Sequence, residues 1–581
     1  MGKKRIAVID YDNCNPEKCG NYLCEKVCPV NRNGKKCITH AEGSKPIISE
    51  ELCIGCIICE HKCPYDAISI INTSFELSEP IHAFGKNMFR LYGLPTPKNN
   101  STVGLVGRNG TGKTTILKIL NGEIVPNFGE ENGEIEKVLN FYKGKEEQKF
   151  FQKIYNNQYK VAIKPQNIEN LKLNGSVRDL LKKVDEKNSL ENVAIELNFS
   201  HLLDRDITQL SGGEFQKVAI AATGLKEADL YFFDEPTSFL DIRERLRVAK
   251  FIRKLSLDKS VIVIEHDLIL LDYLSDYVNL IYGKPSVYGI ASQIKTTREG
   301  INDYLTGFAR TENYRFREYS IDFFSGSRTT DKKEAVKIIK WPKIEKKLGD
   351  FKLNVEKNYL FRNDVVGIAG PNGIGKTTFM KILAGEIKPD NCELNSAVKV
   401  SYKPQYISYT GEKTVRELFG EINVNTTNTI IKPLEIEILL EKKAKTLSGG
   451  ELQRVSIGLC LSKSADLYLL DEPSAYLDVE QRISIGKAVR NHIALNNSSA
   501  LVIDHDLTFL DYVSDKIMVF EGESSITGFA TGPFEVNIGM NKLLKYLGIT
   551  VRRDKDTKRP RINKFDSVLD REQKESGKYY L

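Results

Sequence analysis

Long apolar runs are missing from this 581-residue chain. No stretch approaches the ~18 apolar residues that a bilayer-spanning helix needs, so the sequence carries no transmembrane channel of its own. The start is equally bare. Met1 to Arg5 lead into a strand-like Ile6-Ala7-Val8-Ile9 with no signal core or cleavage site, and a cytoplasmic location is expected. Charge of one sign is also scarce: 84 Lys and Arg against 77 Asp and Glu leave a net +7, which permits a nucleic-acid partner without requiring one. Tryptophan occurs once, at Trp341. Only two of the 11 cysteines, Cys392 and Cys460, lie beyond Cys63. Both are expected to be small buried hydrophobes, and a disulfide framework is excluded.

What is abundant is concentrated. Nine cysteines fall within the first 63 residues, a density that reads as metal or cluster ligation. Cys53-x2-Cys56-x2-Cys59-x3-Cys63-Pro64 has the spacing of a bacterial-type [4Fe–4S] segment. Upstream, Cys14-x4-Cys19-x4-Cys24-x3-Cys28-Pro29 is wider but ends alike. In such pairs the cysteine before proline serves the other cluster. That rule assigns Cys14, Cys19, Cys24 and Cys63 to one cluster and Cys28, Cys53, Cys56 and Cys59 to the second. Cys37 is left as a non-ligand. Zinc modules pair Cys-x2-Cys units instead.

The rest of the chain repeats itself. Gly107 to Thr114 and Gly370 to Thr377 are both GxxxxGK[ST] loops, each between an apolar strand and a helix. Such loops wrap phosphate with backbone N–H groups. Asn109, Gly110, Gly112, Lys113, Thr114 and Thr115, and in the second copy Asn372, Gly373, Gly375, Lys376, Thr377 and Thr378, are the expected ATP contacts, with Thr114 and Thr377 on Mg²⁺. Leu230-Tyr-Phe-Phe-Asp234-Glu235 and Leu467-Tyr-Leu-Leu-Asp471-Glu472 each read as a buried strand delivering two carboxylates. Asp234 and Asp471 suit the metal, whereas Glu235 and Glu472 suit polarising the attacking water.

Three further pairs resemble those of ABC ATPases. Ser211-Gly-Gly213-Glu and Ser448-Gly-Gly450-Glu, each 23 residues before the Asp of its half, look like signature loops. Gln166 and Gln405, each in Lys-Pro-Gln, match the Q-loop that touches Mg²⁺, and His266 and His505 match the switch histidine. The resemblance implies head-to-tail pairing within one monomer. One site would use Lys113, Gln166, Asp234, Glu235 and His266, closed by Ser448 and Gly450. The other would use Lys376, Gln405, Asp471, Glu472 and His505, closed by Ser211 and Gly213. For base stacking, Phe84 (with Phe89 as rival) and Trp341 stand upstream of the two P-loops.

The halves differ in one place. Lys113 to Gln166 is 53 residues and Lys376 to Gln405 is 29, so the first half holds 24 more. The insertion, about 127–158, reads as two short helices around Lys143-Gly144-Lys145 and is a candidate docking surface. The basic run Arg552 to Lys564 is either a solvated tail or a clamp on RNA phosphates or the domain joint.

Taken together, these features resemble ABC subfamily E, the ribosome-recycling family also called RNase L inhibitor. Arg298-Glu-Gly-Ile-Asn302 and Arg559-Pro-Arg-Ile-Asn-Lys564 look like its hinges. The expected fold is α/β: a ferredoxin-like α+β domain over 1–75, a first ABC domain over 76–297, a hinge over 298–334, a second ABC domain over 335–548 and a basic hinge segment over 549–581. The resemblance implies an ATPase that splits ribosomes with a release factor or Pelota, rests its insertion on the small subunit, touches ribosomal RNA and proteins, and needs no membrane. Departures from the family are Phe215 and Lys217 after the first signature, Asp504 before His505, and Trp341 for a tyrosine. A redox-coupled ATPase and a translation factor that gates without splitting are the alternatives. No flavin or nicotinamide fingerprint supports the former.

Overall fold

The computed structural model describes residues 5–72, 79–166, 173–323, 337–394, 398–405, 409 and 411–581. The buried apolar strands identified in each half are laid out identically. In the first sheet the order is His82–Ala83, Arg90–Tyr92, Tyr288–Ala291, Tyr277–Tyr282, Thr102–Gly107, Ser260–Ile264, Leu230–Asp234 and Val161–Lys164. In the second it is Ile344–Leu348, Phe351–Val355, Thr527–Glu535, Lys516–Glu523, Val365–Ala369, Ser499–Ile503, Leu467–Asp471 and Val400–Lys403. The last five of each path run parallel. Helices cover such sheets on both faces, which is why the P-loop strand and the carboxylate strand are largely apolar, apart from the terminal aspartates and Thr102, and buried end to end.

The N-terminal unit closes on an antiparallel pair, Arg5–Ile9 with Ile68–Asn72. Between these strands, helices Leu23–Val27 and Ile58–Lys62 pack together. The unit is mounted on the first ABC half by a small apolar cluster, Val8 with Tyr92 and Val287, and by one buried asparagine. Asn87 donates to Ala7 O (2.8 Å) and accepts from Ile48 N–H (2.9 Å), while its own carbonyl accepts from Ile9 N–H (2.8 Å). Arg90–Glu50 (2.9 Å) and Lys284–Glu60 (3.0 Å) flank it.

The insertion contains helices Ile135–Phe141 and Glu146–Tyr155. It is no loose appendage. Val138, Tyr142 and Phe151 are buried in one cluster with Ile116, Leu117 and Leu120 of the P-loop helix, and Tyr142 stacks on Phe151 at 5.4 Å. Phe141 and Ile135 remain on its exposed side. Deleting the whole insertion would therefore strip the core, so a docking test needs substitutions on the outer face.

The expected hinge over 298–334 begins as ordered structure: helix Thr297–Thr306 lies on strand Tyr277–Tyr282, followed by the pair Phe308–Ala309 and Tyr314–Arg315. Residues 324–334 lie outside the described residues. The basic C-terminal run is not a solvated tail. It forms hairpin Val551–Arg553/Pro560–Ile562 and then helix Val568–Glu575. Val551 and Ile562 join a hydrophobic cluster with Ile269, Leu270 and Leu274 of the first half. Its arginines are spent inside the protein. Arg561 Nε donates to Asp272 (2.7 Å) and Arg559, 1% exposed, lies 3.3 Å from the same carboxylate. Arg553 grips Asp511 with both Nη atoms (3.0 and 2.9 Å). Asp272 and Asp511 lie six residues beyond His266 and His505, one in each half, so the hairpin straddles the domain joint and leaves these arginines unavailable to RNA.

Phe151→Ala should lower the stability of the first ABC half by ~3–5 kcal/mol in a urea titration, the range for emptying a buried aromatic site. Lys149→Ala, on the exposed side of the same helix, should stay within ~0.5 kcal/mol of the parent.

Candidate active sites and cluster sites

Each P-loop turns through left-handed glycines, Gly110 and Gly112 at φ 76° and 95°, Gly373 and Gly375 at 73° and 90°. A Cβ on Gly112 would stand 2.8 Å from the Phe89 ring, and one on Gly375 2.9 Å from Phe351. The space and the backbone both demand glycine. Lys113 Nζ donates to Gly107 O (2.7 Å) and Arg108 O (2.9 Å), and Lys376 Nζ to Gly370 O (2.9 Å), which holds each ammonium at the mouth of its loop. Burial pushes both lysines below their ordinary range, Lys376 to about 8.

The carboxylate pairs stand beside them. Gln166 Nε2 donates to Glu235 Oε1 (2.7 Å), and His266 Nε2 lies 3.4 Å from the same oxygen. The second half repeats this with Gln405 at 2.7 Å and His505 at 3.5 Å from Glu472 Oε1. Both glutamates sit at left-handed backbone, φ 47° and 48°, a strained conformation for a residue with a side chain. Burial opposes their ionisation, yet the histidine contact and the nearby lysines hold both carboxyls down at about 2. Asp234 behaves oppositely: burial and the neighbouring Glu235 raise it to about 7. Asp471 is raised too, chiefly by burial. Both of its oxygens are buried and make none of the hydrogen bonds of the structure, and the Thr377 hydroxyl, whose proximity holds the carboxyl down, stands beside them. A buried carboxylate left this way fits a cation ligand.

Sequence reasoning passed over four residues here. Lys164 and Lys403, each 1% exposed, open the Lys-Pro-Gln triplets. Lys164 Nζ donates to Asp234 O (2.9 Å) and Glu235 O (3.3 Å), and Lys403 does the same for Asp471 and Glu472 (2.7 and 3.4 Å). The recurrence of the whole triplet was the available signal. Asp241 and Asp478 are the other two. Each caps its own helix, accepting from Glu244 N–H or Gln481 N–H (both 3.0 Å). The second oxygen of each accepts a backbone N–H from the P-loop of the other half, Asp478 from Asn109 (3.0 Å) and Asp241 from Asn372 (2.9 Å). Nothing in sequence spacing announces a contact across 369 and 131 residues.

Ser211 and Ser448 cap 14-residue helices, each through a capping box with the following glutamate. Gly213 and Gly450 lie against Phe239 O and Tyr476 O, where a Cβ would come within 2.9 and 3.0 Å. Phe84 is half-exposed, edge-on to His82. Trp341 corrects the base-stacking expectation. It is 2% exposed, donates from Nε1 to Glu356 O (2.9 Å) and meets Phe379 edge-on inside the core. A ring so enclosed presents no face to a base. Strand register instead puts Leu348 at the place of Phe84.

In the N-terminal unit the crossed assignment of cysteines coincides with two cavities. One is lined by Cys14, Cys19, Cys24 and Cys63, the other by Cys28, Cys53, Cys56 and Cys59 together with Cys37. The two helices are built alike: each starts after a left-handed residue, Tyr22 or Ile57, and bears a cysteine at its second position and another at its C-cap. Left-handed Ile57 is costly for a β-branched residue, and such strain collects where a loop must wrap a ligand. Burial drives the Cys24 and Cys59 thiols up to about 12. So enclosed, each stays a neutral thiol unless a cation beside it stabilises the thiolate. Among the described residues no group of three or more His, Cys, Asp or Glu is spaced for a single metal ion, whereas four thiols lining each cavity are the ligand number of a cluster. Cys37 is 1% exposed and its thiol donates to Ser49 O (3.7 Å).

Comparison with known proteins agrees with this architecture. A family model described as "ABC transporter" matches residues 96–238 and 353–475, and one described as "Possible Fer4-like domain in RNase L inhibitor, RLI" matches residues 5–36. ABC transporter E family member 1 of Arabidopsis thaliana is 44% identical, over 99% of this chain and 98% of its own. The chain belongs to ABC subfamily E. Among solved structures, "Model of ribosome-bound archaeal Pelota and ABCE1" aligns with TM-score 0.95 and 50% identity over 99% of both chains. The complex of "archaeal ribosomal stalk protein aP1 and archaeal ribosome recycling factor aABCE1" aligns with TM-score 0.83 and 48% identity over 88% of this chain and all of that one. As a subfamily E member this is an ABC ATPase with an iron–sulfur domain. None of its described helices is long and apolar enough to cross a membrane.

Cys53→Ser should lower bound iron from about eight atoms to about four, read by colorimetric iron analysis, whereas Cys37→Ser should keep it. Lys164→Met keeps the volume but removes the two bonds that shape the Glu235 turn. ATP turnover should fall by ~10–100-fold through kcat, as expected when a catalytic group is displaced, with KM nearly unchanged in steady-state kinetics.

Proposed function

We propose that this chain is a cytoplasmic, monomeric ribosome-recycling ATPase, splitting ribosomes into subunits by closing its two ABC halves around two ATP molecules. The observation that supports it most is the reciprocal clamp, Asp478 on the first P-loop and Asp241 on the second. With each half gripping the nucleotide loop of the other, ATP occupancy governs how the halves meet, and the iron–sulfur unit rides on the half that carries Asn87. The partners would be the small subunit, with its RNA and proteins, and a release factor or Pelota.

At each site the P-loop backbone and Lys113 or Lys376 bind the phosphates. Ser448 and Gly450, or Ser211 and Gly213, approach from the opposite half. Thr114, Gln166 and Asp234, or Thr377, Gln405 and Asp471, would hold a Mg²⁺ ion, which offsets phosphate charge when bound. Glu235 and Glu472, kept ionised by their histidines and lysines, orient the attacking water and accept its proton. His266 and His505 position that carboxylate and face the terminal phosphate. In the N-terminal unit, Cys14, Cys19, Cys24 and Cys63, and Cys28, Cys53, Cys56 and Cys59, would each hold one [4Fe–4S] cluster.

Sucrose-gradient sedimentation of ribosomes with the protein, a release factor or Pelota, and ATP tests the reading. Splitting should appear as subunit peaks; intact ribosomes with ATP consumed would favour gating instead. Glu235→Gln with Glu472→Gln should cut steady-state turnover by ~10²–10⁴-fold, split ribosomes about once per protein, and leave ATP trapped on the subunit-bound enzyme. Rapid multiple turnover by that variant would overturn both glutamate assignments.

A further inference from the structure

The two ATP sites are alike in every residue assigned above to phosphate, yet among the described residues only the first is bridged by ion pairs between the halves. Arg108 lies in the first P-loop and reaches across to the second half. Its Nη2 donates to Glu435 Oε1 (2.9 Å), and its Nε lies 3.7 Å from Glu480 Oε2. Glu435 is also approached by Arg454 Nη1 (3.3 Å), in the helix that the second signature opens. Glu480, in the helix capped by Asp478, accepts from Arg317 Nη1 (2.9 Å), and Arg317 Nη2 is anchored on Tyr304 O and Leu305 O of the segment joining the halves. A continuous chain of charges thus runs from the inter-half segment, through the second half, to the first P-loop.

The pseudo-symmetric site has none of it. Counting from the shared motifs, Pro371 stands at the place of Arg108, Lys217 at Arg454 and Arg243 at Glu480. Asn198 stands at Glu435: both have left-handed backbone, and both offer their carbonyl to the basic residue of the signature helix. Proline carries no charge, asparagine none, and Arg243 has the wrong sign. Lys217 pairs with Glu244 of its own half (3.1 Å), and Arg243 lies over the Tyr546 ring.

We propose that Arg108 is the positioning residue of a one-sided electrostatic latch, which keeps the first ATP site closed and couples its opening to the segment between the halves. The second site, lacking the latch, opens independently of it. Arg317, Glu480 and Arg454 are nearly buried, whereas Arg108 and Glu435 are partly exposed (31% and 49% of the side chain). The Arg108–Glu435 contact is therefore the one that salt can screen.

The inference rests on the composite-site reading above, and the test separates the two. In the full, iron-loaded chain, Glu235→Gln retains ATP at the first site and Glu472→Gln at the second, and release of radiolabelled ATP is followed by filter binding after a chase. Adding Arg108→Gln should speed release on the order of tenfold from the first site and leave the second unchanged. Arg108→Lys should restore most of the retention. Glu435→Gln should match Arg108→Gln without adding to it, as expected of two ends of one contact. Salt should speed first-site release in the parent more than in Arg108→Gln. Equal release from parent and Arg108→Gln, or equal speeding at both sites, overturns the latch. Failure of Glu235→Gln to retain any ATP brings down the site assignment beneath it, and the latch with it.

Discussion

Much of this molecule depends on a carboxylate with two tasks. Asp241 and Asp478 each spend one oxygen on the N-terminus of their own helix and the other on a P-loop amide of the opposite half. A helix N-terminus and a phosphate-binding loop are both rich in unpaired N–H groups, so one anion between them satisfies both. The geometry cannot form inside a single half. Pairing of the halves is thereby built into the same backbone that receives the nucleotide.

The remainder of the interface follows the same economy of buried charge. Asp272 and Asp511, at equivalent positions of the two halves, are both held by arginines of one C-terminal hairpin. Buried carboxylates of this kind are tolerable only when paired, so the hairpin stays seated on both halves at once. The iron–sulfur unit is attached to the first half by neutral hydrogen bonds through Asn87, by the buried cluster of Val8 with Tyr92 and Val287, and by two ion pairs.

Local chemistry was legible because it is carried by short, contiguous segments. The P-loops, the Asp-Glu pairs and the signature serines lie within runs of a few residues, and the fold puts each pair in equivalent surroundings; the crossing that joins Cys63 to Cys14 and Cys28 to Cys53 instead came from a pairing rule. Base stacking was harder. Trp341 has the right composition and spacing, but its indole found a backbone acceptor at Glu356 and a core to fill, and no spacing rule weighs that competition. The basic C-terminal run was similarly ambiguous, since charge alone does not say whether its partner is a phosphate or an internal aspartate.

By itself, the sequence determined the parts: two nucleotide engines, a double cysteine cage, and one insertion with amphipathic helices. These follow from residue periodicity and from motif spacings of a few residues, which act over distances the chain spans locally, with only the crossing of the two cysteine sets reaching further. Only the tertiary structure decided how the parts are joined. The Asp478 clamp, the Lys164 bonds under the Glu235 turn, the insertion's place in the P-loop core, and the chain of charges from Arg317 to Arg108 all link residues dozens to hundreds of positions apart. A charge or donor buried by such folding must take whichever partner the packing brings, because water is no longer there to replace it.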